Sequence, residues 1–143
     1  MLAWRVCRVA FADLSGEGAR RYGGRWNRPG RPMVYAASSA ALAVLEVRVH
    51  LDLPLELLPD DYLLLTIDLG DLATEEAVAL PADPAAFGDT WLRDQRSAVL
   101  QVPSLIVPES PNLLLNPAHP HAARASIVAR RRFVFNRRLW GPS

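Results

Sequence analysis

The sequence predicts a single α+β domain, and three observations carry that expectation. Its 143 residues are half apolar and 22% charged, the size and composition of one compact domain. Extended apolar runs outnumber helical stretches, and they do not alternate with helices in the strict βαβ rhythm of a doubly wound sheet. No repeat, linker or low-complexity tract divides the chain, so residues 1–143 are read as one unit. A chain of this length buries about 68–70% of the surface its unfolded form exposes, so it folds without a metal or disulfide staple.

The elements follow in order. Residues 4–9 (WRVCRV) alternate loosely and predict a strand. Residues 15–32 hold five of the eight glycines, five arginines and two prolines, without periodicity, and predict one long loop. Loops beyond ~12–15 residues are uncommon inside compact domains and usually functional. Residues 33–37 form a short apolar strand, after which Ser38 or Ser39 caps a helix reaching about His50. On it Leu42, Leu45 and Val49 keep helical spacing and are expected to face the core. Residues 62–69 (YLLLTIDL) read as a buried strand, and the acidic segment 70–87 as a loop with at most one helical turn. Asp89 is placed as the cap of a helix over 90–98, residues 99–107 as an extended run broken at Pro103, 113–115 as more of the same, and 132–136 (RFVFN) as the last strand.

Charge and cysteine content narrow the function. A net charge of +1 argues against a protein built to neutralise phosphates along a nucleic acid. All sixteen basic residues are arginine, so a P-loop lysine or a Schiff base is excluded. Cys7 stands alone, which rules out an internal disulfide or a multi-cysteine zinc site and suits a reducing compartment. His50, His119 and His121 are too scattered for a zinc site, and no metal is expected. With no apolar run of about 20 residues and no signal-like start, the chain is expected in the cytoplasm, away from membranes.

Two constellations remain. Gly23-Gly24-Arg25-Trp26-Asn27 lies in the glycine-rich loop, Tyr35 ten residues after Arg25 on the next strand, and Glu46 eleven residues further on the following helix. A loop arginine is usually solvated, a strand tyrosine usually core, and a helix glutamate usually faces water. Glu46 fits that ordinary role poorly, because it sits beside the apolar stripe, where a charge is costly unless paired. The second constellation is Pro103-Ser104, Glu109, Asn112 and Asn116-Pro117-Ala118-His119-Pro120, whose commoner role is a proline-punctuated turn.

Taken together, GGRWN with Pro29 and Gly30, VYAASSAALAVLE (Val34 to Glu46) and VPSLIVPESPNLLLNPAHP (Val102 to Pro120) resemble, in order, the RES domain. This is the toxin half of RES–Xre toxin–antitoxin pairs. The resemblance implies a fold like the diphtheria-toxin-like ADP-ribosyltransferases and an enzyme that consumes NAD or transfers ADP-ribose to a protein. It carries catalytic roles to Arg25, Tyr35, Glu46 and Ser104, and NAD-binding roles to Arg5, Gly24, Arg25, Tyr35 and Asn116. The chemistry suits these residue types. A carboxylate at Glu46 opposes the oxocarbenium-like charge formed as the nicotinamide–ribose bond breaks, or else orients the substrate. A guanidinium at Arg25 between glycines forks onto a pyrophosphate, Tyr35 stacks on nicotinamide, and Ser104 bonds a ribose hydroxyl. The implied partner is an Xre-like antitoxin, which would contact DNA in place of this chain. A homodimer is compatible with the sequence. The competing expectations are a mono-ADP-ribosyltransferase acting on a protein, and a non-catalytic module using Arg130-Arg131-Arg132 to touch an acidic partner or nucleic acid.

Overall fold

The computed structural model describes residues 1–142 and shows an α+β arrangement built on a seven-stranded mixed sheet. In chain order the elements are β1 (Leu2–Arg8), α1 (Glu17–Tyr22), β2 (Val34–Ala37), α2 (Ala40–Arg48), β3 (Tyr62–Asp68), β4 (Thr74–Glu76), α3 (Pro84–Asp94), β5 (Val99–Pro103), β6 (Pro111–Leu115) and β7 (Ser126–Arg132). Across the sheet they stand in the order β4-β5-β6-β2-β1-β3-β7. Only β4 and β5 run parallel; the other neighbours are antiparallel.

The middle of this sheet is its weak seam. β1 pairs with β3 through seven rungs, from Leu2 against Asp68 to Arg8 against Tyr62, whereas it meets β2 at one rung, Trp4 against Ala37. Two half-sheets therefore meet at a single point, and backbone on both sides is left to line a cleft.

Apolar side chains are buried on both faces. Along β3, Tyr62 and Leu64 pack with Val6, Leu42 and Ala43 under α2, while Leu65 and Ile67 pack on the opposite face with Ala3, Cys7 and Leu113. This two-sided burial is why the segment reads as a near-continuous apolar run. A further cluster of Trp26, Met33, Trp91, Leu100 and Leu114 lies under α3.

Several boundaries differ from the sequence expectations, each for a physical reason. The long loop contains α1, a six-residue helix too short to show a periodicity. α2 is capped by Ser39, whose Oγ accepts from the Leu42 amide at 3.0 Å, but it ends at Arg48, and Val49 is exposed rather than turned to the core. α3 begins before Asp89: the Asp83 carboxylate accepts from Ala86 N at 3.0 Å, and Pro84 fills the first turn, where no amide is needed. The segment 70–87 holds β4 as well, a three-residue strand whose polar sequence, Thr74-Glu75-Glu76, hides its pairing with β5. The last strand is β7, not 132–136. It lies at a sheet edge with mostly exposed side chains, so it lacks the alternation of a half-buried strand. Phe133 N still donates to Tyr62 O at 2.9 Å, just past the end of β7, and the Phe133 and Phe135 rings stack edge-to-face with each other, Phe135 doing the same with Tyr62 and Trp140.

Candidate active site

The glycine-rich segment closes into a two-residue hairpin. Gly24 N donates to Asn27 O at 2.9 Å, which leaves Arg25 and Trp26 at the tip. These two side chains part: Trp26 is buried against Phe87 and Trp91, and Arg25 is exposed at the cleft. Asn27, itself buried, ties the base of the hairpin. Its Nδ2 is within donating distance of the carbonyls of Ala19 at 2.9 Å, Arg28 at 3.0 Å and Arg31 at 3.3 Å. Helix α3 clamps the other side, where the Asp89 carboxylate accepts from Arg28 N at 3.1 Å. Gly88 lets the two backbones touch, since a Cβ there would fall 1.7 Å from Trp26 O.

Tyr35 is fastened to this hairpin by its hydroxyl. The phenol donates to Asn27 Oδ1 at 2.6 Å and accepts from Trp26 N at 3.0 Å, while Gly24 presses so closely that a Cβ would lie 2.6 Å from the phenol oxygen. Burial, with a smaller contribution from the Asp89 charge, raises its pKa above that of an ordinary phenol. The hydroxyl is thus a neutral structural link.

The arginine cluster of residues 20–31 separates by partner. Arg20 and Arg21 both bond Glu17, and Arg28 pairs with Asp83 at 2.9 Å and Asp89 at 3.7 Å. Arg25 makes no ion pair among the described residues. Arg5 is held differently: Nη1 reaches Tyr35 O at 3.5 Å, and its buried Nε has no partner among the described residues.

Opposite the hairpin, α2 projects Glu46. Its Oε1 accepts from Ser104 Oγ at 2.7 Å and from Asn112 Nδ2 at 2.8 Å, joining the helix to β6 and to the turn after β5. Ser104 is buried and also accepts from the amides of Ile106 and Val107, both at 3.1 Å, so the turn fixes the hydroxyl and the hydroxyl fixes the carboxylate. Oε2 takes no bond from the described residues.

Arg5, Gly24, Arg25, Tyr35 and Glu46 line one cleft of about 500 Å³, and Ser104 supports it through Glu46. That volume lies within the range of small-molecule sites, ~300–1,000 Å³. Asn116 does not line it. It is buried near α3, donating to Leu92 O at 3.1 Å and accepting from Ala118 N at 3.0 Å. Among the described residues no three of His, Cys, Asp and Glu gather as metal ligands, and no helix is long and apolar enough to cross a membrane. Two asparagines emerge with larger parts than their spacing suggested. Asn27 organises the hairpin and Asn112 bonds Glu46. The signal available for Asn112 was its residue type, since asparagine is depleted in strands.

The sequence pattern of the RES domain matches residues 2–136. The chain is 44% identical to the "Prs ADP-ribosylating toxin" of a Sphingobium species, over 95% of this chain and 94% of that one. It is 42% identical to the "NAD(+) phosphorylase MbcT" of Mycobacterium tuberculosis, over 54% of this chain and 48% of that one. The fold matches the crystal structure of the M. tuberculosis MbcT–MbcA toxin–antitoxin complex with a TM-score of 0.74, at 23% identity, covering 93% of this chain and 84% of that chain. With a match from the first strand to Asn136 and a relative 44% identical over 94% of its length, this chain belongs to the RES domain family.

Proposed function

We propose that this chain is the toxin of a toxin–antitoxin pair and lowers cellular NAD by breaking its nicotinamide–ribose bond. In the step envisaged, the bond between ribose C1′ and the pyridinium nitrogen breaks, and nicotinamide leaves neutral with the electron pair. The cationic ribose is opposed by Glu46, and either a water oxygen bonds C1′ and releases its proton to solvent, or an unprotonated oxygen of phosphate bonds C1′ directly. The observation that carries this reading is the Glu46 carboxylate, anchored through Oε1 by Ser104 and Asn112 and open at Oε2 in a cleft that Arg25 also lines. A fixed anion stabilises a developing cation without reorganising during the reaction. Arg25 supplies a free fork for the pyrophosphate, and the Tyr35 ring a stacking surface for nicotinamide.

A second reading, transfer of ADP-ribose to a protein, is favoured by the relative named as an ADP-ribosylating toxin. One experiment separates the two. Purified protein incubated with NAD, with and without phosphate, should release nicotinamide together with ADP-ribose or its phosphate ester. With a cell lysate added as a source of acceptors, transfer would instead leave a protein heavier by one ADP-ribosyl group, and no consumption of NAD by the purified protein with phosphate, without it or with lysate would overturn both readings.

The complex formed by the structural relative supports an antitoxin partner, and we place an Xre-like DNA-binding protein in that role. The cytoplasm, where NAD is accessible, is the proposed place of action. Expression alone should arrest growth and co-expression with the antitoxin should restore it; harmless expression of the folded chain would contradict the toxin reading.

A further inference from the structure

Asn112 lies in β6, in register with Ala37 on one side and Val102 on the other. Its Nδ2 donates to Glu46 Oε1 at 2.8 Å, and this fixes the orientation of the amide, because the reverse would set two acceptor oxygens against each other. The other amide atom is then the notable one. Oδ1 is buried and has no hydrogen-bond partner among the described residues. A buried acceptor left unpaired costs free energy that a donor arriving with a ligand returns. Asn112 also lines the cleft. Since both amide atoms hang from one carbon, Oδ1 is held beside the Glu46 carboxylate, whose Oε2 takes no bond from the described residues. An unpaired amide oxygen near a carboxylate favours a group carrying hydrogen-bond donors and disfavours an anion.

We propose that Asn112 is a substrate-recognition residue, its Oδ1 accepting a hydrogen bond from the half of NAD that carries the breaking bond. This rests on the reading of the cleft as an NAD site. The donor is the 2′-hydroxyl of the nicotinamide ribose or the carboxamide N–H. Both present the same chemistry, and the test distinguishes them. Through Nδ2 the same residue positions Glu46, so one side chain couples recognition of the substrate to placement of the carboxylate.

The test compares kcat/KM of the wild-type chain and of Asn112→Ala toward three substrates: NAD, an analogue lacking the 2′-hydroxyl of the nicotinamide ribose, and an analogue whose methyl ketone replaces the carboxamide. Asn112→Ala should lose about tenfold or more toward NAD but far less toward the analogue that lacks the contacted donor. Either analogue showing this pattern supports the proposal and names the donor. Equal loss toward all three substrates would overturn recognition and leave positioning of Glu46 alone; unchanged kinetics would overturn both roles. Should Asn112→Ala fail to fold, Asn112→Ser takes its place. The wild-type chain gives a check without any variant, because it should disfavour one analogue by about tenfold, and equal use of all three would overturn the proposal. If wild-type protein does not consume NAD at all, the failure lies with the functional reading; if it consumes NAD without discriminating, the failure lies with Asn112.

Discussion

Ser104 Oγ donates to Glu46 Oε1 at 2.7 Å, across 58 positions of sequence, while accepting two amides of its own turn. The carboxylate of α2 is therefore referenced to the turn after β5 as well as to its own helix. Glu46→Gln tests the charge without disturbing this geometry: the amide oxygen can take the place of Oε1, and the NH₂ group then occupies the position of Oε2. We predict a loss of NAD turnover of about 10²–10³-fold with the melting temperature kept. Wild-type turnover would refute the assigned role.

Ser104→Ala should have two effects. The turn loses the acceptor for Ile106 and Val107, lowering stability by about 1–3 kcal/mol, and Glu46 loses one of its two donors. Turnover should fall less than in Glu46→Gln because Asn112 still holds the carboxylate. Thermal melting together with kcat checks both effects, and equal catalytic losses in the two variants would count against a supporting role for Ser104.

Arg25→Lys keeps a positive charge and loses the fork. Because Arg25 is exposed and forms no ion pair among the described residues, folding should be unaffected. KM for NAD should rise about tenfold, the cost of replacing a bidentate contact with a point charge. An unchanged KM would remove Arg25 from the pyrophosphate contact.

Tyr35 makes a prediction about alkaline pH. Its pKa is raised in the folded state, chiefly by burial, so the unfolded chain releases this proton first. The phenol's contribution to stability is complete below the unfolded value of about 10 and is lost as pH climbs through the folded value. Tyr35→Phe should lower stability at neutral pH, since Asn27 Oδ1 and Trp26 N lose their partner, and should also flatten the decline above pH ~10. Denaturant melts at neutral and alkaline pH measure both. An equally steep alkaline decline in the variant would show that the phenol is not the group responsible.

Gly88→Ala should destabilise the chain severely, by at least about 3 kcal/mol, because the new methyl carbon meets backbone, at 1.7 Å from Trp26 O, and backbone cannot swing aside. Gly18→Ala is the matched control. There the nearest atom is the edge of the Phe11 ring at 3.3 Å, and alanine's better helix propensity should leave stability unchanged or slightly raised. Similar melting temperatures for the two variants would contradict the close approach of α3 to the hairpin.

What the sequence determined by itself were the features that depend on neighbours along the chain. Ser39 could be read as a cap because the amide it serves is three residues away. The apolar run of β3 could be read because burial on both faces leaves no polar side to show. The order of GGRWN, Tyr35, Glu46 and Ser104 was legible as a family pattern, and the fold class with it. What only the tertiary structure decided depends on residues far apart in sequence. β4 exists because β5 lies beside it, not because of its own composition, and β7 is an edge strand whose exposed face carries no alternation. The arginines of residues 20–31 look alike in sequence, yet Asp83 and Asp89, brought up by α3, take Arg28 and leave Arg25 free. Asn112 looked like a turn residue until register placed it beside Glu46, 66 positions away. Capping and burial patterns are short-range and so are written locally, whereas the pairing of a buried charge is settled by whichever distant groups the packed sheet delivers to it.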